Sequence, residues 1–302
     1  MLSYFLANLT FAGIYALLAL GLNVIWGMAG MINLGLAGFF ALGAYASSIA
    51  TVYLEFPIVL GVSLGVMVAA TAGGVLSQLS LNLRGDYLAI VTLGFGELIR
   101  LIATNETWLT NGSDGISGVP GPFRSSLTPL AFNAVACALV ISTVLVAWFI
   151  SERIRKAPFG RALRAIRDDE MAAAVAGKPV RLYKIQAFAI GSALLGLAGA
   201  AYAHFNSYVA PDIFRPLLTI YIFFALTAGG TGNTLGAVFG AVLVIALLEG
   251  TRFIEPFFES LSGVQAASIR EIVIGATLIF VMRFRPKGIF AERPPRPLGT
   301  SD

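Results

Sequence analysis

Ionisable side chains are rare in this chain, so the stretches that collect them mark where chemistry could happen. The longest is residues 151–184, SERIRKAPFGRALRAIRDDEMAAAVAGKPVRLYK, with nine Lys/Arg and four Asp/Glu. Its centre, Gly160 to Gly177, has helical composition, with Arg161, Arg164 and Arg167 at three-residue spacing and four alanines near its end. Side chains at that spacing share a helix face. The acids that follow, Asp168, Asp169 and Glu170, are expected to pair with Arg164 and Arg167. Such a helix suits docking by charge and shape rather than proton transfer.

A second pair, Glu97 and Arg100, stands at i, i+3 inside an apolar run, close enough to bond. Counted from Asp86, Glu97 lies roughly 17 Å along a helix, near mid-span. Charges there cost on the order of a few kcal/mol unless paired or facing water. Two readings stay open: a structural pair turned toward other helices, or side chains lining a path. Two uncharged glycine-rich stretches, GMAGMINLG (27–35) and TAGGTGNT (227–234), offer a different chemistry. If they break helices, free backbone N–H groups suit a passing carboxylate. Asn33 beside Gly35 in the first, and Thr227, Thr231 and Asn233 around Gly229 and Gly230 in the second, add hydrogen bonds without charge. A plain tight turn is the alternative for each.

Catalysis finds little support. No nucleophile–base–acid set is visible. His204 is the chain's one histidine and Cys137 its one cysteine, so a metal site is not expected and no intrachain disulfide can form. The phosphate loop G-x-x-x-x-G-K-[ST] is absent. The nearest approach, Gly177-Lys178, has Pro179 next and Ala172 where a glycine is needed. The chain is therefore expected to bind no cofactor of its own.

The elements that must carry these groups are membrane spans. Of 302 residues, 57% are hydrophobic and 12% charged, and mean hydropathy is +0.84. A soluble domain carries about twice that charge, and no Asp, Glu, Lys, Arg or His precedes Glu55. The composition predicts an all-α, polytopic membrane helical bundle. Apolar spans read near 3–26, 31–53, 58–81, 86–104, 128–150, 185–208, 216–230, 232–250 and 269–284. That is about nine, with a range of eight to ten, because one or two are short or broken enough to be re-entrant. Residues 1–290 form one transmembrane domain and 291–302 an irregular Pro-rich tail. The N-terminus lacks a basic n-region and its apolar run is too long for a cleaved signal, so the first span is expected to stay.

Loop charges set the orientation. Residues 151–184 carry a net +5 and the tail from Arg283 a net +3. The 105–126 and 251–268 loops each carry −1. Basic loops stay inside, which places 151–184 and the C-terminus in the cytoplasm and the N-terminus outside. The net charge of +4 is no nucleic-acid signal, because the basic residues sit at span ends. Small residues at four-residue spacing, Gly61 and Gly65, then Gly232, Gly236 and Gly240, predict close helix packing.

Several stretches resemble one family. APFGRALRAIRDDEMAAAVAG (157–177) resembles the cytoplasmic coupling loop of ABC importer permeases. LRGDYLAIVTLGFGELIRL (83–101), which contains Thr92, looks like the fourth-span signature of LivM-type branched-chain amino acid permeases of the LivH/LivM family. NGSDGISGVPG (111–121), GLNVIWGMAGMINLGLAGFFALGAY (21–45), ALTAGGTGNTLGAVFGA (225–241) and RFRPKGIF (283–290) match it too, so the resemblance covers nearly the whole chain. One departure is Lys178-Pro179 after Gly177, where the family usually has an Ile-Asn-like pair.

The resemblance implies a permease subunit of an importer for branched-chain or related amino acids in a bacterial inner membrane. Glu170, Ala172, Ala173 and Gly177 would match, with one residue inserted, the Glu-Ala-Ala…Gly pattern that docks on an ATPase, with Gly160, Arg161, Arg164 and Arg167 beside it. Asn33, Gly35, Thr92, Glu97, Arg100, Thr227, Gly229, Gly230, Thr231 and Asn233 would line the translocation path. The implied partners are a second, LivH-like permease, two ATPase subunits that bind ATP and Mg, and a periplasmic solute-binding protein. Related members carry urea, amides or aromatic acids, and an ion-coupled secondary transporter using Glu97 or Asp86 is a further alternative.

Overall fold

A computed structural model describes residues 1–250, 263–285 and 288–292, apart from 82, 84 and 125. Helix α1 (Leu2–Leu22) runs on into a π-helical turn, Asn23–Met28. Then come α2 (Leu36–Val52), α3 (Ile58–Leu79), α4 (Asp86–Asn105) and the single turn α5 (Thr107–Thr110). After them lie α6 (Pro129–Lys156), α7 (Pro158–Asp168), α8 (Glu170–Val175) and α9 (Val180–Asn206). The chain closes with α10 (Pro216–Gly229), α11 (Thr234–Gly250) and α12 (Gly263–Phe284). Each predicted span has its helix. The acids and Arg252 of the predicted 251–268 loop, Arg84 of the fourth-span motif and the tail beyond Glu292 lie outside the described residues, and the end of that loop, from Gly263, is already helical.

Among the described residues, five helices are long and apolar enough to cross a bilayer: Leu2–Met28, Ile58–Leu79, Asp86–Asn105, Pro129–Lys156 and Val180–Asn206. With large apolar side chains such as Leu60, Ile90, Leu98, Leu145 and Phe149 facing outward, the chain is a multi-pass membrane protein. Helices α2, α10 and α11 are shorter. At 14 residues, α10 reaches about 21 Å, less than the ~30 Å hydrocarbon core. Of these, α2 is the most enclosed: Leu36, Phe39, Phe40, Ala41 and Ala44 are all buried.

Helix α2 sits at the centre, packed by α3, α9 and α4, while α1 packs on α6, α9 and the α10–α11 hairpin. Glycine lets these backbones touch. A methyl on Gly43 would lie 2.1 Å from the Gly196 carbonyl oxygen, and one on Gly65 would lie 2.6 Å from the Gly43 oxygen. In lipid, where apolar burial gives helices no drive to associate, such close contact supplies it. Gly61 and Gly65 thus act as the spacing predicts, as do Gly236 and Gly240 against Gly229 and Ala225. Gly232 does not; it belongs to the turn between α10 and α11.

Two expectations need correction, and one small element was not foreseen. Gly160–Gly177 is two helices rather than one, because Asp169 turns extended (φ −152°, ψ 104°). Helices α6 and α9 overrun their apolar cores by several polar residues, since nothing in Glu152–Lys156 or Val180–Lys184 breaks a helix. The 111–121 loop adds a short antiparallel ladder, β1 (Ile116–Ser117) with β2 (Tyr208–Val209), in an otherwise all-α fold. That ladder marks one end of the bundle. There His204 is buried between Ser47 Oγ (2.8 Å) and the Pro120 carbonyl (2.7 Å), a structural bridge from α2 through α9 to the loop. The basic loop and residues 288–292 lie at the opposite end.

Candidate functional site

The basic end is built around α7. Pro158 opens it at a position where its missing N–H costs nothing. Gly160 allows the fold-back on α6, because a methyl there would lie 2.2 Å from the Ile154 carbonyl. Phe159 stacks on Tyr183 with centroids 5.3 Å apart. Ala162, Leu163 and Ile166 face the bundle and are buried, whereas Arg161 faces out and its Nη1 reaches the Lys156 carbonyl at 2.9 Å.

The arginines pair only in part as their sequence neighbours suggest. Arg167 does bond Asp168 (3.2 Å), but its Nη1 also donates to Glu292 (2.9 Å) and to the Gly27 carbonyl. Arg164 lies 3.6 Å from the other Glu292 oxygen, and its Nη2 donates to the Arg155 carbonyl. Asp169 caps α8 by accepting from the Ala172 amide at 2.9 Å. Glu170 bonds Lys184 at 2.8 Å.

Helix α8 ends at Gly177. The Gly177 amide bonds the Ala174 carbonyl and the Lys178 amide bonds that of Ala173. With φ +76° at Gly177, this is the left-handed closure that glycine makes without strain. Lys178-Pro179 therefore follows a helix already closed. Ala173 is buried, but Met171 and Val175 are 74% and 86% exposed and Ala172 stands beside them. The loop tip is an apolar knob ringed by charge.

The two glycine-rich breaks meet beneath α7. Asn33 is buried and folds back so that Oδ1 accepts from the Gly35 amide at 2.9 Å. The Leu34 amide donates to Thr92 Oγ1 of α4 at 2.9 Å, and Gly35 is pressed against the Thr92 carbonyl. The second break reaches the first through Asn23, whose Oδ1 accepts from the Gly232 amide at 2.9 Å. Asn233 caps α11 by accepting from the Leu235 amide at 3.0 Å. Thr227 bonds back to Phe223, Gly229 gives its carbonyl to the Phe290 amide, Gly230 turns the chain at φ 122°, and Thr231 is half-buried. Asn33, Gly35, Thr92 and the 227–233 residues thus share one end with the basic loop.

Glu97 and Arg100 lie elsewhere. Arg100 Nε sits 3.0 Å from both Glu97 oxygens on the outer flank of α4, and the side chains are 38% and 23% exposed. On the other side of α4, Gly96 approaches Gly35 and Gly38. Next to α4, in the loop at the β1–β2 end, a hydrogen bond from Arg215 holds the Asp212 carboxyl below the usual carboxylate range.

Three residues that tie the basic end together were not among the sequence candidates. Asn23 is a lone amide in an apolar run, a recognisable sign of a buried polar contact. Glu152 bonds Arg155 at 2.6 Å and accepts from Thr234 Oγ1 at 2.7 Å, linking α6 to α11. Glu292 is a lone acid between basic tail residues. Among the described residues no three His, Cys, Asp or Glu side chains converge as a metal site would require.

Spans that cross, helices that break at one end, and a charged helix lying over the breaks define a multi-pass membrane permease. A family described as the permease component of the branched-chain amino acid transport system matches residues 4–282, and the chain belongs to it. It is 30% identical, over 95% of its length and 70% of the relative's, to the high-affinity branched-chain amino acid transport permease LivM of Escherichia coli K12. It is 25% identical to a probable LivM of Methanocaldococcus jannaschii, over 93% of this chain and 92% of that one. It is 23% identical to the E. coli K12 permease LivH, over 96% of both. No solved structure matches the chain.

Proposed function

We propose that this chain is the membrane-spanning subunit of an ABC importer for branched-chain or related amino acids. It works with a second, LivH-like permease, two ATPase subunits that bind ATP and Mg, and a periplasmic solute-binding protein. It lies in a bacterial inner membrane with the basic end in the cytoplasm and the N-terminus outside. It performs no catalysis itself; ATP hydrolysis moves α7–α8, and the permease pair alternates its access. Amino acid delivered from outside passes between the two permeases.

The observation that carries this reading is the contact of Arg167 with the Gly27 carbonyl. It joins a loop whose other end projects Met171 and Val175 outward to the π-helical end of the first span, which in turn bonds the turn between α10 and α11. A lever needs such a connection between a docking tip and a gate. Irregular backbone in a membrane must face protein or water, so the breaks suit a path. Asn33 and Thr92 are buried in this conformation; once the breaks open, they and Asn233 would guide a zwitterion without holding it as fixed charges would.

The test is co-purification and transport. The tagged chain should bring down ATPase subunits, and proteoliposomes of the complex should take up leucine only with ATP and binding protein. Uptake by this chain alone, driven by an ion gradient, would overturn the proposal.

A further inference from the structure

The coupling-type helix is held by a residue outside it. Residues 288–292 return from α12 and lie across the end of α10. The Ile289 amide donates to the Ala228 carbonyl (2.9 Å) and the Phe290 amide to the Gly229 carbonyl (2.8 Å). Both are last-turn carbonyls that a helix end leaves without partners. The Phe290 ring meets Phe239 of α11 edge-on at 5.3 Å, which pins the segment to both arms of the hairpin.

That anchoring delivers Glu292 between Arg164 and Arg167, 3.6 and 2.9 Å from their nitrogens. The three side chains are only 13%, 26% and 21% exposed, so the contacts are partly shielded from water. The carboxylate also covers Gly232: a methyl there would lie 2.6 Å from Oε2. The same Gly232 donates to Asn23, and the same Arg167 donates to Gly27. Both breaks and α7 therefore converge on one carboxylate.

We propose that Glu292 is a positioning residue for transport: it clamps α7, through Arg164 and Arg167, onto both breaks, so that movement of the helix moves them together. This rests on the reading of α7–α8 as the part driven by an ATPase. Without the carboxylate, two guanidinium groups would face each other over the breaks. They would separate, and motion at the docking tip would reach Gly27 and Gly232 weakly or not at all.

The test uses the assembled complex in proteoliposomes, with uptake and ATP hydrolysis measured together. Glu292→Gln, a near-isosteric neutralisation, should lower substrate moved per ATP hydrolysed at least fivefold, and Glu292→Asp should recover part of it. A ratio within twofold of wild type for Glu292→Gln would overturn the proposal. If that variant does not assemble, hydrogen exchange on the wild-type complex decides. The Ile289 and Phe290 amides should exchange at rates that change at least fivefold between nucleotide-free and ATP-bound states, and identical protection in both would overturn it. If the wild-type chain captures no ATPase, the functional reading fails instead, which the pull-down shows separately.

Discussion

The Gly232 amide donates to the Asn23 side chain at 2.9 Å across 209 positions of sequence. That contact joins the unwound end of the first helix to the turn between the two short ones. Asn23 is fully buried, and Gly27 admits no side chain, because a methyl would lie 2.2 Å from Asn23 Oδ1 and 2.7 Å from the Gly232 nitrogen.

Asn23→Leu should therefore destabilise the protein by about 1–3 kcal/mol, the usual cost of a buried donor left unpaired. Gly27→Ala should act in the same direction by forcing the breaks apart. Thermal unfolding of the detergent-solubilised chain checks both. An unchanged midpoint for Asn23→Leu would show that Gly232 finds another partner.

The positions of the helices were legible in the sequence because lipid-crossing segments need long apolar runs. The two breaks were legible as glycine clusters, and the basic loop as charge. The partners inside each cluster were not. Arg164 and Arg167 have three acids next to them, yet Glu292 is the acid they share. Local spacing predicts i, i+3 pairs, and it succeeds where the pair lies on one helix, as with Glu97 and Arg100. It fails where a distant segment brings the charge, because only the packed fold sets that distance. Helix ends were misjudged for the same reason: polar residues terminate an apolar pattern without terminating a helix.

Gly177 is required for its backbone and not for lack of room. Its φ is +76° with nothing within 4 Å of where a side chain would start. Gly177→Val should strain the loop by about 1–2 kcal/mol, the usual left-handed penalty. Gly177→Asn, which tolerates that region, should behave nearly as wild type. The strain falls on a projecting turn, so the global unfolding midpoint should hardly move while ATPase capture weakens. Equal capture by the Val and Asn variants would mean that the closure is not needed for docking.

The knob formed by Met171 and Val175 makes a separate prediction. Exposed apolar side chains at a polar tip mark a protein contact, and a few such residues carry most of the energy of an interface. Val175→Asp should reduce ATPase co-purification at least tenfold and leave the unfolding midpoint unchanged, since the residue is 86% exposed. Undiminished capture would move the docking site off the tip.

The last prediction separates two surroundings for Glu97 and Arg100. On the outer flank of α4 the pair meets either lipid or the space shared with a second permease. An unpaired arginine near the membrane centre costs about 2.5–3.5 kcal/mol when it faces lipid. In contact with water, losing an exposed partner costs about 0–1 kcal/mol. The flank is expected to face water between the permeases, because ionisable groups that the chain leaves partly uncovered are costly against lipid. Glu97→Gln should then lower stability by less than about 1 kcal/mol and reduce uptake severalfold. A Glu97→Cys chain with the buried Cys137 replaced by alanine should react with a membrane-impermeant thiol reagent, and ATP should change the rate. If the reagent never reaches position 97 and Glu97→Gln costs more than about 2.5 kcal/mol, the pair serves a lipid-facing structural role.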